Sequence, residues 1–337
     1  MPAFPVTSGL TLYLYAGSGV TVSGTRVSQW NDLSGSGNHV TQSTGSEQPY
    51  YMASHYKSQP FIGFSGAQCL FNPAAWVASG TGSRTVMTFQ VPSTTLESDC
   101  FVNIGPNSAT TNVMGYTWET IWGWTGGLDD RNYGYGFSTI NQSEPMVTCT
   151  TWAGGTGSGK LNRYRNKLQT EVNNGGLNWN TSSGVIIGAF KSTGGYSFPQ
   201  KTPINSVAIW NRVLTTAERE SVVDHFLNNY APSDFAVSGV TATSATLTWT
   251  NGWNDNGKEI YRSTTNDTGT SICVGKAISG TTSFVDSTLA ASTTYYWWTK
   301  NIVTSYNVDY YTSSFSSVVS GTTTTNNGII IGILNGA

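Results

Sequence analysis

Two carboxylate clusters are the first residues in this chain that could do chemistry. Asp and Glu number only 18 in 337 residues, so each cluster can be weighed separately. The run Glu97-Ser98-Asp99-Cys100-Phe101-Val102 places Glu97 and Asp99 on one face of an extended strand, because alternate residues share a face. Glycoside hydrolysis needs two carboxyl groups about 5–10 Å apart across a cleft. A third carboxylate at Phe101 or Val102 would complete a Glu-x-Asp-x-Glu or Glu-x-Asp-x-x-Glu run, and it is missing. Asp129 and Asp130 are adjacent, point to opposite faces if extended, and read as a solvated loop pair. Nucleophilic hydrolysis has no Gly-x-Ser-x-Gly elbow to start from. Gly157-Ser158-Gly159-Lys160 lacks both the leading glycine spacing and the Ser/Thr of a phosphate loop. His39, His55 and His225 are scattered and give no metal spacing. Cys69, Cys100, Cys149 and Cys273 form no CxxC and are expected as buried free thiols rather than a disulfide framework.

Binding chemistry has a better candidate. The stretch Tyr116 to Phe137 contains Trp118, Trp122, Trp124, Tyr133, Tyr135 and Phe137, with Asp129, Asp130 and Arg131 among them. Flat aromatic rings can carry sugar rings at little entropic cost, while charged and polar neighbours bond the hydroxyls. Trp118, Trp122, Trp124, Asp129, Asp130, Arg131, Tyr133 and Tyr135 are therefore the candidate glycan-binding residues. The competing reading is packing: Trp122 and Trp124 alternate as strand residues do, as do Tyr133 and Tyr135, so one face of each pair could belong to a core.

The elements that would position these residues are strands. Charged residues make up 10% of the chain, whereas Ser and Thr together number 88 and Gly 38. That composition suits strands and turns far better than helices. A net charge of −2 lacks the basic footprint of a nucleic-acid binder, and no apolar window is long enough for a membrane-spanning helix. Leu10, Leu12 and Leu14 alternate with Thr11 and Tyr13. Met87, Phe89 and Val91 alternate with Thr88 and Gln90, and Val207 and Ile209 with Ala208. Clusters such as Ser34-Gly35-Ser36-Gly37-Asn38 punctuate the runs. One helix is expected, opened by the capping box Thr215-Thr216-Ala217-Glu218 and closed before Pro232. Beyond it Ala245, Leu247 and Trp249 begin a second all-β unit, with Trp249 facing inward.

Two family resemblances rest on these segments. Leu12-Tyr13-Leu14, Val27-Ser28-Gln29-Trp30-Asn31-Asp32-Leu33-Ser34-Gly35, Gln48-Pro49 and Phe61–Gly66 resemble the opening of laminin-G-like, concanavalin A-type jelly rolls. Gly184–Gly188, Ser206–Asn211 and the helix resemble the close of the same module. The second unit resembles a fibronectin type III domain, with Tyr295 in the place of its corner tyrosine. The fold class is therefore all-β: a jelly-roll sandwich over 1–231, a seven-stranded fibronectin type III-like sandwich over 232–325, and an apolar tail over 326–337. The jelly-roll resemblance admits glucanase-like enzymes and rim-loop calcium, for which Asp99, Asp129 and Asp130 are weak candidate ligands. No other cofactor or metal is implied.

The domain pair is similar to accessory structural proteins of tailed bacteriophages. That resemblance implies a non-enzymatic virion surface protein, a capsid decoration or tail-fibre component assembled in the host cytoplasm, that contacts cell-surface or environmental glycans. The absence of a secretory signal in the opening residues fits assembly inside a host. Two alternatives stand beside it: a secreted bacterial carbohydrate-binding module or glycosidase fragment, and a purely structural spacer. In the tail, Ile329, Ile330, Ile331, Ile333 and Leu334 are neutral and mostly β-branched, and are the candidate assembly residues. As an added strand they would pair with other virion subunits or with a second copy.

Overall fold

The computed structural model describes residues 3–65, 68–77, 82–91, 99–104, 112–117, 120–123, 145–154, 161–173, 183–192, 195–197, 202–227, 234–252, 255–305 and 309–325. The chain divides into two compact units: Met1–Leu227 with Ser305–Asp309, and Asn228–Thr304 with Tyr310–Ala337.

The first unit opens with β1 (Leu10–Tyr15), β2 (Val20–Ser23), β3 (Arg26–Trp30), β4 (Val40–Thr41), β5 (Tyr50–Tyr56) and β6 (Gln59–Gly63). It continues with β7 (Leu70–Val77), β8 (Arg84–Gln90), β9 (Asp99–Ile104), β10 (Asn112–Thr117), β11 (Thr120–Gly123) and β12 (Met146–Trp152). It closes with β13 (Leu161–Arg165), β14 (Leu168–Asn173), β15 (Ser183–Ile187), β16 (Phe190–Ser192), β17 (Gly195–Ser197), β18 (Ile204–Trp210) and α1 (Thr216–Leu227). One hydrogen-bonded path runs β11-β10-β9-β15-β7-β4-β3-β5-β6-β18-β8-β12-β13-β14, with β1 added to β18 and β2 to β3. Its two halves share a single core. Leu70, Val102, Ile104, Val185 and Ile187 from one half join Leu12, Leu14, Val86, Met146, Trp152, Val207 and Ile209 from the other. This is the jelly-roll sandwich. Each buried Leu, Ile or Val stabilises it by about 1.5–3 kcal/mol relative to exposure.

The helix explains why simple alternation understates burial. All seven residues of β8 and all seven of β18 are buried. Helix α1 lies over the outer face of the sheet. Phe226 stacks on Phe89 at 6.3 Å and on Tyr13 at 6.5 Å, and Arg219 sits 3.7 Å over the Tyr164 ring. The expected capping box is present. Glu218 N donates to Thr215 Oγ1 at 3.3 Å while Thr215 N donates to Glu218 Oε2 at 2.9 Å. Arg212 grips the same carboxylate with two bonds of 2.8 and 2.7 Å. The Arg212 bonds, then the Thr215 amide, hold the Glu218 carboxyl down at about 2. Two glycines in the closing motif are required by close approach. A Cβ on Gly184 would meet the Asn72 carbonyl, and Gly188 has φ +93° with the Phe64 ring against it.

The second unit has β19 (Ala236–Ser238), β20 (Ala245–Thr248), β21 (Gly257–Ser263), β22 (Ile272–Ile278), β23 (Ser283–Asp286), β24 (Thr294–Ser305), β25 (Asp309–Thr312) and β26 (Val319–Thr322). One sheet is β19-β20-β23; the other is β22-β21-β24-β25 with β26 also on β24. Phe235, Leu247, Trp249, Ile260, Leu289, Tyr295 and Trp297 form the core between them. Tyr295 is the corner tyrosine, its hydroxyl accepting from Ala290 N at 3.0 Å. Seven strands were expected and eight segments are found among the described residues, because the last strand is interrupted between β25 and β26. There Ser313 and Ser316 extend the ladder with side chains: Asn301 N donates to Ser313 Oγ and Thr299 N to Ser316 Oγ, each at 3.0 Å. The strand resumes only at β26.

Candidate functional site

Most of the aromatic segment lies outside the described residues: Trp118, Trp124, Asp129, Asp130, Arg131, Tyr133 and Tyr135 all do. So do Glu97 and the tail residues Ile329, Ile330, Ile331, Ile333 and Leu334. Trp122 and Asp99 are placed by their backbone. Trp122 stands opposite Gly115 in the β10–β11 hairpin, and Asp99 stands opposite Tyr116 across β9 and β10. The structure thus brings these two candidates into the three strands β9, β10 and β11, with β11 the last strand of the sheet path among the described residues.

A second polar constellation lies between the sheets and was missed from sequence. Along β8, Val86 belongs to the inter-sheet core, so Arg84, Thr88 and Gln90 share its face. Met87 and Phe89, which look like the core row in sequence, instead share the opposite face, where Phe89 meets the helix. Thr88 Oγ1 lies 2.7 Å from Gln90 Oε1 and 2.6 Å from Thr148 Oγ1 on β12. The Arg84 guanidinium sits 5.2 Å from the centroid of the Trp152 ring. Arg163 on β13 pairs in register with Thr150 and is 2% exposed. Burial draws Arg84 down to about 10. The strip offers hydroxyl, amide and guanidinium groups. Its signal in the sequence was the row Arg84, Val86, Thr88, Gln90, which is polar enough to be read as solvent-facing.

Several other titratable residues bond to the backbone or pack within the first unit. Asp32, from the Trp30-Asn31-Asp32 motif, is 7% exposed. Its Oδ1 accepts from Tyr13 N at 2.9 Å and Ser34 N at 2.8 Å, and its Oδ2 from Ser34 Oγ at 2.9 Å and Asn38 N at 3.0 Å. His39 Nδ1 accepts from Asp32 N at 3.0 Å, closing the same loop. His225 is buried between Tyr13 and Phe4, its Nε2 3.5 Å from the Tyr13 hydroxyl. Burial pushes His225 down to about 4. Cys69 and Cys149 are buried free thiols as expected, and burial lifts Cys149 to about 12. Cys273 corrects the expectation: it is free but exposed, because it lies on the sheet-edge strand β22. Among the described residues no group of three His, Cys, Asp or Glu converges as metal ligands would, and no helix is long and apolar enough to cross a membrane.

No protein-family model matches the chain, and no curated protein matches it. Solved structures do. The binding domain of Paraclostridial Mosquitocidal Protein 1 is similar at 13% identity and TM-score 0.48, over 94% of this chain and 76% of that one. A Trypanosoma rangeli sialidase in complex with sialic acid is similar at 13% identity and TM-score 0.47, over 65% of this chain. The match spans 33% of the sialidase chain. Domain 4 of AbnA, an extracellular arabinanase from Geobacillus stearothermophilus, in complex with arabinotriose, is similar at 13% identity and TM-score 0.44, over 64% of this chain and 98% of that one.

Proposed function

We propose that this protein is a non-catalytic, glycan-contacting surface protein. In this reading the jelly roll makes the contact and the fibronectin type III-like unit serves as a spacer. The observation that carries it is the position of Trp122 on β11, the last strand of the sheet path among the described residues, within a segment dense in Trp and Tyr. The non-catalytic part is supported by the work of the described carboxylates. Asp32 staples a loop, Glu218 caps the helix, and Asp224 pairs with Lys167 at 2.7 Å. The site of action in this reading is a virion surface, where a charge-poor, hydroxyl-rich exterior suits dense packing of copies.

A glycan array on the whole protein tests the contact. The expected result is weak, selective binding that is lost in Trp122→Ala while the melting profile is kept. Silence across the array for the wild type would end the glycan reading and leave the spacer role. Turnover of any β-glucan would overturn the non-catalytic part. Mass spectrometry of purified virions that lack the protein would overturn the location.

A further inference from the structure

Lys258 on β21 is 1% exposed and is the only buried lysine among the described residues. Its Nζ meets two side chains from the connection between β20 and β21. One is the Asp255 carboxylate, which is also buried. The other is the amide oxygen of Asn251, at 3.2 Å. That oxygen also accepts from the Trp249 indole N–H at 3.0 Å, a donor it shares with the Thr281 carbonyl at 2.9 Å. Asn251 Nδ2 is held by the Thr281 carbonyl at 3.1 Å. Asp255 is fixed in turn by the amides of Gly257 at 3.3 Å and Gly280 at 3.1 Å. A buried ion pair alone is a weak source of stability, because both charges must leave water. This arrangement also supplies the parts of an amide exchange. An amine and an amide carbonyl are held together, a fixed N–H polarises the carbonyl oxygen, and a carboxylate can carry protons where water is excluded.

We propose that Lys258 and Asn251 join in an isopeptide bond, with Asp255 as the proton carrier. The Lys258 ammonium gives one proton to the Asp255 carboxylate, leaving a neutral amine. Nζ attacks Asn251 Cγ, and the Trp249 N–H stabilises the oxygen as charge gathers on it. Asp255 passes a proton to Nδ2 and takes one from Nζ. The Cγ–Nδ2 bond breaks as the Nζ–Cγ amide completes. Ammonia leaves and Asp255 remains as the neutral acid. Atoms and charge balance with no oxidant, metal or nucleotide. The bond ties the end of β20 in one sheet to β21 in the other, and it removes two opposite charges from the interior.

Intact mass spectrometry of the folded, full-length protein tests this directly. The expected mass is about 17 Da below the sequence sum, the loss of one ammonia. Proteolysis should yield a branched peptide joining Lys258 to Asn251. Asp255→Ala should restore the full mass in protein that still folds. Asn251→Asp should instead lose water, about 18 Da, and still give the branched peptide. An unshifted wild-type mass overturns the proposal. So does an ammonia loss mapped to a linear Asn251-Gly252 peptide, which would be a succinimide, or a branch through Asp255. The primary reading uses the wild type, so a variant that fails to fold does not affect the outcome.

Discussion

Replacing Asp32 with Ala should cost the first unit about 3–4 kcal/mol. The carboxylate accepts four hydrogen bonds, and they are not equivalent. The Tyr13 amide belongs to a residue 7% exposed, so the bond it donates to Asp32 lies away from bulk water. Losing a charge-assisted bond at a buried donor accounts for about 2–3 kcal/mol. The Ser34 and Asn38 amides lie on a partly exposed loop and can rehydrate. Their share is about 1 kcal/mol, largely the cost of a loop freed to move. For a unit of this size 1 kcal/mol shifts the midpoint by about 2–4 °C, so the loss should be about 6–16 °C. Asp32→Asn keeps the shape and one acceptor oxygen, and should fall between the two. Differential scanning calorimetry at neutral pH reads both variants. A midpoint for Asp32→Ala within 2 °C of wild type, about the smallest shift 1 kcal/mol would give, would show that the loop is not held by this carboxylate.

Three further outcomes are expected. His225 has a folded pKa of about 4, below its ordinary 6.5, so its contribution is complete above pH 6.5 and is lost as pH falls through 4. That loss is about 3 kcal/mol by pH 4; urea titrations of wild type and His225→Phe should diverge across that window, and parallel curves refute it. Thr215→Ala removes the helix cap and should cost about 1 kcal/mol, read as a lower urea midpoint with unchanged slope; an unmoved midpoint would mean the cap carries no stability. Ser316→Ala strands the Thr299 amide, on a fully buried residue, at about 1–3 kcal/mol. Hydrogen exchange at Thr299 should accelerate, and unchanged protection would show that another acceptor takes its place.

The all-β class, the single helix with its cap, and the inward Trp249 were legible in the sequence because each rests on neighbours a few residues apart, while the corner place of Tyr295 came from the family resemblance. Period-two alternation, a Thr-x-x-Glu box and turn clusters are local patterns, and local sterics and hydrogen bonds enforce them wherever the chain goes. What tertiary structure decided is which face of a strand is inside. Met87 and Phe89 look like the core row, yet Val86, Thr88 and Gln90 face the other sheet, because a helix more than 120 residues downstream covers the Phe89 side. Asp32 looked like one polar residue in a turn; only the approach of β1 makes it the acceptor for Tyr13. Ser313 and Ser316 gain their role only where β24 lies beside them and lends its amides. Lys258 carries no local mark of burial at all. Its partners Asn251 and Asp255, with Trp249 beside them, are near in sequence, but Thr281 and Gly280 are set around them by the closing of two sheets. Burial and partnership are properties of surfaces brought together, and a one-dimensional pattern records only which surfaces each segment has to offer.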